Sequence, residues 1–131
     1  MSGGLVVGLG CRPGVRAEDV RAVLGAVLDG AGLAAADVLA YATLRARGGE
    51  PGLRAVTGDA LLCFPAGVLG AIPVPNPSRA VATAVGTPAV AEAAALCAAA
   101  DLAPPGSVVE LVVPKRTGAG VTAAVARFRP A

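Results

Sequence analysis

Residues 80–102, AVATAVGTPAVAEAAALCAAADL, are almost wholly apolar and are built mainly from side chains no larger than valine. The run is long enough to span a bilayer. Gly86, Pro88, Glu92 and Asp101 interrupt it, and such breaks and charges are unfavourable in a lipid-facing helix. It therefore reads as helices buried inside a protein. Alanines leave little side chain to fill space, so the elements that cover these helices must approach closely.

The rest of the composition narrows the class. The chain has 131 residues, 55% of them hydrophobic and 15% charged, which predicts one globular domain over residues 1–131. Two phenylalanines, one tyrosine and no tryptophan leave few platforms for stacking bases, and a net charge of +2 is too mild for a nucleic-acid surface. No nucleic-acid or membrane partner is expected. There is no histidine, which excludes Ser–His and Cys–His nucleophile pairs and histidine-ligated metal sites. Cys11, Cys63 and Cys97 are widely spaced, lack CxxC spacing and read as free thiols in a reducing compartment. The N-terminus has no basic region or cleavage site of a signal peptide, so the expected address is the cytoplasm. No metal and no cofactor are expected.

Periodicity gives the order of elements. Residues 5–9 form a short apolar run that reads as a buried strand. Val20, Val23, Leu24, Val27, Leu28 and Ala31 then recur at helical spacing, so a helix is predicted from about residue 17 to 31, ended by Gly32. A second strand is read at 39–44, a short helix opening at Glu50-Pro51, and a third strand at 61–64. PVPNPS, residues 73–78, predicts an extended segment, followed by helices capped at Ser78 and Thr87. Strands at 108–113 and 120–128 flank PKRTGA, which predicts an antiparallel hairpin. The fold class is α/β: a three-layer α/β/α domain with a mixed sheet of about five strands, the first three parallel.

The opening loop, VVGLGCRPG, raises the functional question. Gly8, Gly10 and Gly14 lie between a strand and a helix, near the spacing of a dinucleotide fingerprint. A ribose site wants an acid at the end of the second strand, but that end carries Thr43, Arg45 and Arg47. The glycines then mark a structural turn or the mouth of a site for another anion. Cys11 beside Arg12 is either a turn residue or a thiol of lowered pKa. Glu50 either caps the helix behind it, positions Arg47 or acts as a general base. Glu92 either faces solvent or anchors something near the domain edge. Lys115 and Arg116 are read at the end of the fourth strand. If the first, second and fourth strands are parallel, Arg12, Arg45, Arg47, Lys115 and Arg116 share one edge. An acidic ligand is then expected there.

These segments also carry a resemblance. VVGLGCRPG, Thr43 followed by Glu50-Pro51-Gly52-Leu53, PVPNPS, VGTPAVAEAAAL and LVVPKRTGAGVTAAVAR occur in the same order in the CobE / CbiG C-terminal domain family of cobalamin (vitamin B12) biosynthesis. The resemblance spans nearly the whole chain. It implies an α/β/α domain acting on corrin-ring precursors, which bear many carboxylates around an apolar ring. In one branch the domain ends a cobalt-precorrin-5A hydrolase that opens a ring lactone. In the other it stands alone, and the first strand at Leu5 makes the stand-alone form the expectation. The ligand-binding set implied is Gly10, Cys11, Arg12, Arg47, Glu50, Asn76, Ser78, Thr87, Glu92, Lys115 and Arg116. The partners implied are a polycarboxylate tetrapyrrole and other cobalamin-pathway enzymes. The enzymatic alternative is lactone hydrolysis with Glu50 activating water. The family commonly has Lys where this chain has Arg47 and an acid where it has Gly49, and a guanidinium does not readily do covalent or acid chemistry.

Overall fold

The computed structural model describes residues 3–74 and 88–131, with the side chains of residues 88 and 89 excepted. Five strands form one sheet: β1 (Gly4–Cys11), β2 (Val38–Leu44), β3 (Leu61–Phe64), β4 (Val108–Gly118) and β5 (Val121–Arg129). Their order is β3-β2-β1-β5-β4, with β1, β2 and β3 parallel and β5 antiparallel to both its neighbours. β4 therefore runs the same way as the first three strands, and the carboxyl ends of β1 to β4 lie along one edge. The α/β fold with a mixed five-stranded sheet agrees with the sequence reading.

Helices α1 (Ala17–Gly30) and α2 (Pro51–Thr57) lie on one face. Leu5, Val7, Leu9 and Cys11 of β1 point to them, packed with Val20, Val27 and Leu53. Helices α3 (Ala66–Gly70) and α4 (Pro88–Leu102) lie on the other face, where Val6, Ala42, Ala126 and Phe128 meet the alanines of α4. The alternation along β1 is the period-2 signature of a strand buried on both sides. The two helix layers follow from handedness. From β1 to β3 the chain steps one way across the sheet, and then returns to the far edge at β4. Keeping every crossover right-handed places the return helix on the opposite face.

Close approach depends on Gly8. A Cβ at Gly8 would coincide with the Ala91 carbonyl of α4 and lie 2.6 Å from Ala95 N. The alanine helix thus rests on bare backbone of the central strand.

Three sequence expectations change. Gly10, read beyond the strand at 5–9, stays with Gly8 within β1, because β5 pairs along all of it, from Gly4↔Phe128 to Cys11↔Val121. Only Gly14, at φ 76°, lies in the turn. The fourth strand does not stop at Val113. It continues to Gly118 through register shifts between Leu111 and Val113 and between Val113 and Arg116, and pairs Thr117↔Thr122 and Gly118↔Val121. Pro114 is tolerated because β4 is an edge strand. The hairpin turn is Ala119-Gly120, both at positive φ (48° and 79°), a geometry whose hand matches the strand twist. The short helix α3 was not anticipated. The helix expected at 78–85 falls outside the described residues.

Gly8→Ala is expected to lower stability by about 3 kcal/mol through overpacking. Gly25→Ala, in α1 with open space around it, is expected to raise it by about 1 kcal/mol. Urea unfolding of both variants measures the contrast; equal effects would remove the backbone contact at Gly8 from this account.

Candidate functional site

At the carboxyl edge of the sheet, hydrogen bonds tie the loop after β1 to the loops on either side. Towards β2, the Thr43 hydroxyl donates to the Leu9 carbonyl at 2.7 Å inside the core. Arg47 Nε donates to the Cys11 carbonyl at 2.9 Å. The Gly14 N–H donates to Glu50 Oε1 at 2.7 Å. Towards β5, the Arg12 N–H donates to the Gly120 carbonyl at 3.1 Å. The Arg12 stem also lies across this turn, its Cδ 3.4 Å from where a Gly120 Cβ would stand.

Local chemistry explains why the second loop takes this shape. Arg45–Arg47 is a single 3-10 turn following directly on β2. Pro51 opens α2 at a position where its missing N–H is harmless. Gly52 faces the Val15 carbonyl so closely that a Cβ would overlap it, which seats α2 against the entry to α1. Arg54 reaches back, its Nε donating to the Gly48 carbonyl at 2.6 Å.

The site residues read from sequence fall into distinct roles. Arg12 is exposed and Arg47 half-buried, and the network above brings both to one edge with Glu50. Glu50 stands at the N-cap position of α2, but its carboxylate makes no cap there; it braces the β1 loop through Gly14 instead. Gly10 is buried in β1 and contributes no loop wall. The Cys11 side chain is 3% exposed and belongs to the core below α1; only its carbonyl serves the mouth. Burial pushes the Cys11 thiol above its ordinary value of 9.0, with the Glu50 charge adding to the rise and Arg47 opposing it. That is the reverse of an activated nucleophile.

Glu92 does not face solvent. It is fully buried in α4, and its Oε2 accepts the Lys115 N–H at 3.1 Å. Lys115 lies in the irregular stretch of β4 between Val113 and Arg116. Arg116 pairs opposite Ala123, a residue of the α1-face core. Lys115 and Arg116, expected together at a strand end, are therefore addressed from the α4 layer and the α1 layer respectively. Asn76, Ser78 and Thr87 lie outside the described residues. Thr43, a strand-end residue and part of the family-like segment in the sequence, is not among the expected site residues. Its signal was a hydroxyl in an apolar run, which must find a partner once buried.

Arg12, Arg45, Arg47 and Arg116 have no ion-pair partner among the described residues. Arg16 pairs with Glu18, and Arg127 and Arg129 with Glu110. The Glu50 carboxylate lies in the same loop network, bound to the Gly14 N–H. No group of three or more Cys, Asp or Glu arranged to hold a metal occurs among the described residues. No helix among them is long and apolar enough to cross a membrane.

Residues 5–126 match the family model described as cobalamin synthesis G C-terminus. The chain belongs to that family. Protein CobE of a Sinorhizobium species is 36% identical over 130 residues, covering 94% of this chain and 79% of the relative. The fold matches the crystal structure of CobE, a protein from the cobalamin (vitamin B12) biosynthetic pathway, with a TM-score of 0.77, at 31% identity over 95% of this chain and 90% of that one. It also matches the cobalamin biosynthesis protein chiG from Agrobacterium tumefaciens str. C58, with a TM-score of 0.65, at 29% identity over 93% of this chain and 96% of that one. This chain is a cobalamin biosynthesis protein of the CobE / CbiG C-terminal type.

Burial raises the pKa of Cys11 and Cys97 above 9.0 and of Tyr41 above 10.0. Each group binds its proton more tightly folded than unfolded. The stability this contributes is complete below the unfolded pKa and is lost as pH rises through the folded one. The urea midpoint is expected to fall between pH 8 and pH 10.5, and Cys11 is expected to resist iodoacetamide at pH 8 until the chain unfolds. A midpoint that holds or rises, or rapid native alkylation of Cys11, would contradict the buried thiol.

Proposed function

We propose that this protein binds an acidic corrin-ring intermediate of cobalamin biosynthesis at the cationic carboxyl edge of its sheet. The observation that carries this reading is the lacing of arginine-bearing loops into one rim. The Arg47 guanidinium is held by the Cys11 carbonyl, and Arg12 is anchored by its backbone N–H on the Gly120 carbonyl with its stem across that turn, neither by an acid. Arginines fixed in this way retain their charge and their remaining donors for carboxylates, which guanidinium engages in paired hydrogen bonds. Family membership supplies the ligand class, since CobE is described as a protein of the cobalamin pathway.

The hydrolytic alternative requires Glu50 to activate water. Its Oε1 is engaged by the Gly14 N–H, so the carboxylate already serves as a brace, and binding is the reading the geometry supports best.

Titration with hydrogenobyrinic acid, followed by the visible spectrum, tests the proposal. Saturable binding that weakens with added salt is expected. Arg12→Ala and Arg47→Ala should each weaken it about fivefold, the equivalent of about 1 kcal/mol for a partly exposed ion pair. No spectral change and no retention on the protein would overturn the reading. Turnover of a ring lactone by the wild type that Glu50→Gln abolishes, with binding retained, would replace it with the hydrolase.

A further inference from the structure

The geometry points to a seat for the apolar face of the corrin in a groove between α1 and the far arm of β4, with Arg116 and Arg12 at its ends. This inference rests on the corrin-binding reading above and locates the ring, which that reading leaves unplaced.

The groove has a volume of about 550 Å³, within the range of sites that hold small molecules. One wall is the exposed side of α1, at Ala22 and Ala26. The other is the stretch of β4 that continues past the bulge, Arg116 to Gly118, with Ala119 at the turn. The groove exists because its walls lack side chains. Ala22 and Ala26 project no further than Cβ, and at Gly118 a Cβ would stand 3.3 Å from Val23 Cγ2. Larger residues at these positions would close it.

The charges flank this apolar floor. Arg116 pairs opposite Ala123, whose side chain belongs to the α1 face, so it stands on the groove side of β4. Beyond the Ala119-Gly120 turn lies a smaller groove of about 230 Å³ that shares Ala119 and is lined by Arg12, Arg16 and Asp19. Arg16 is paired with Glu18, while Arg12 and Arg116 are exposed and without acidic partners among the described residues. A smooth apolar floor between two guanidiniums complements a flat apolar ring with carboxylates on its rim. A neutral apolar peptide would leave the arginines unused. A nucleic acid would find no aromatic platform along the floor.

The test fills the floor and removes the charge separately. Ala22→Leu and Ala26→Leu place leucine on the exposed side of α1, where it favours helix, and Ala36→Leu, also exposed but at the opposite end of the sheet, is the control. Hydrogenobyrinic acid is one probe and dicyanocobinamide, whose side chains are amidated, is the other. Wild type is expected to bind the acid more tightly than the amide. Ala22→Leu and Ala26→Leu should weaken both probes at least tenfold, Arg116→Ala should weaken the acid several-fold with little effect on the amide, and Ala36→Leu should leave both unchanged. Circular dichroism establishes that each variant is folded, and Arg116→Ala stands as the independent arm should a leucine variant fail. Unchanged acid binding in Ala22→Leu, Ala26→Leu and Arg116→Ala, together with loss in Arg47→Ala, would overturn the groove and leave the corrin reading intact. Binding of neither probe by wild type would overturn both.

Discussion

The contact between Gly8 and the backbone of α4 is the constraint on which the molecule is built. β1 is the central strand, flanked by β2 and β5, and α4 crosses it on a surface that has no side chain at Gly8. The helix can come that close only because its own surface is alanine. Any larger pair would push the layer outward and draw it away from β5 and β4 as well. The same approach carries Glu92 to the edge of the sheet, where its carboxylate accepts the Lys115 N–H. A buried acid in an alanine helix is costly without hydrogen-bond partners. Here one of those partners belongs to the irregular stretch of β4, so the helix and the strand irregularity support each other.

That irregular stretch separates what was legible in the chain from what was not. The parallel strands, α1, α2 and the alanine helix were readable because each has a hydrophobic period or a proline–glycine boundary. β3 is found at Leu61–Phe64 as read, and α1 starts at Ala17 as read. The continuation of β4 through Pro114 was not readable, because a proline followed by two cations reads as a loop. Only the partner strand shows otherwise: Thr122 and Val121 extend the ladder to Thr117 and Gly118. For the same reason Gly10 read as a loop residue. Whether glycines after an apolar run leave the sheet depends on the length of the neighbouring strand, and β5 was expected only as one arm of a hairpin with β4.

The candidate site shows a similar division. That cations follow the first two strands is visible in sequence, but what fixes them is a set of backbone atoms. The Cys11 carbonyl, the Gly14 N–H and the Gly120 carbonyl carry no residue signature. For Glu50 the sequence left three roles open, a cap on the helix behind it, a partner for Arg47 and a general base. The turn of the β1 loop brings the Gly14 N–H to the carboxylate, and that donor is taken in place of the cap. Cys11 beside an arginine left a turn residue and a lowered-pKa thiol both open; strand alternation turns its thiol into the core and leaves only its carbonyl at the rim.

The identity of residue 47 follows from how it is held. Arg47 uses Nε for the Cys11 carbonyl. Its two terminal nitrogens extend beyond that bond on the same rigid plane. A lysine has one nitrogen, and the same atom would have to serve both the carbonyl and an incoming carboxylate. Anchoring by a carbonyl also differs from anchoring by an acid. A carboxylate would position the guanidinium and cancel its field, whereas a neutral oxygen positions it and leaves the field in place. Arg12 is tied differently: its backbone N–H on the Gly120 carbonyl fixes the main chain from which the side chain leaves. Arg47 is thus ordered by a bond to a neutral oxygen, and on the corrin-binding proposal an acidic ligand would meet there a cation already in place rather than a side chain it must organise.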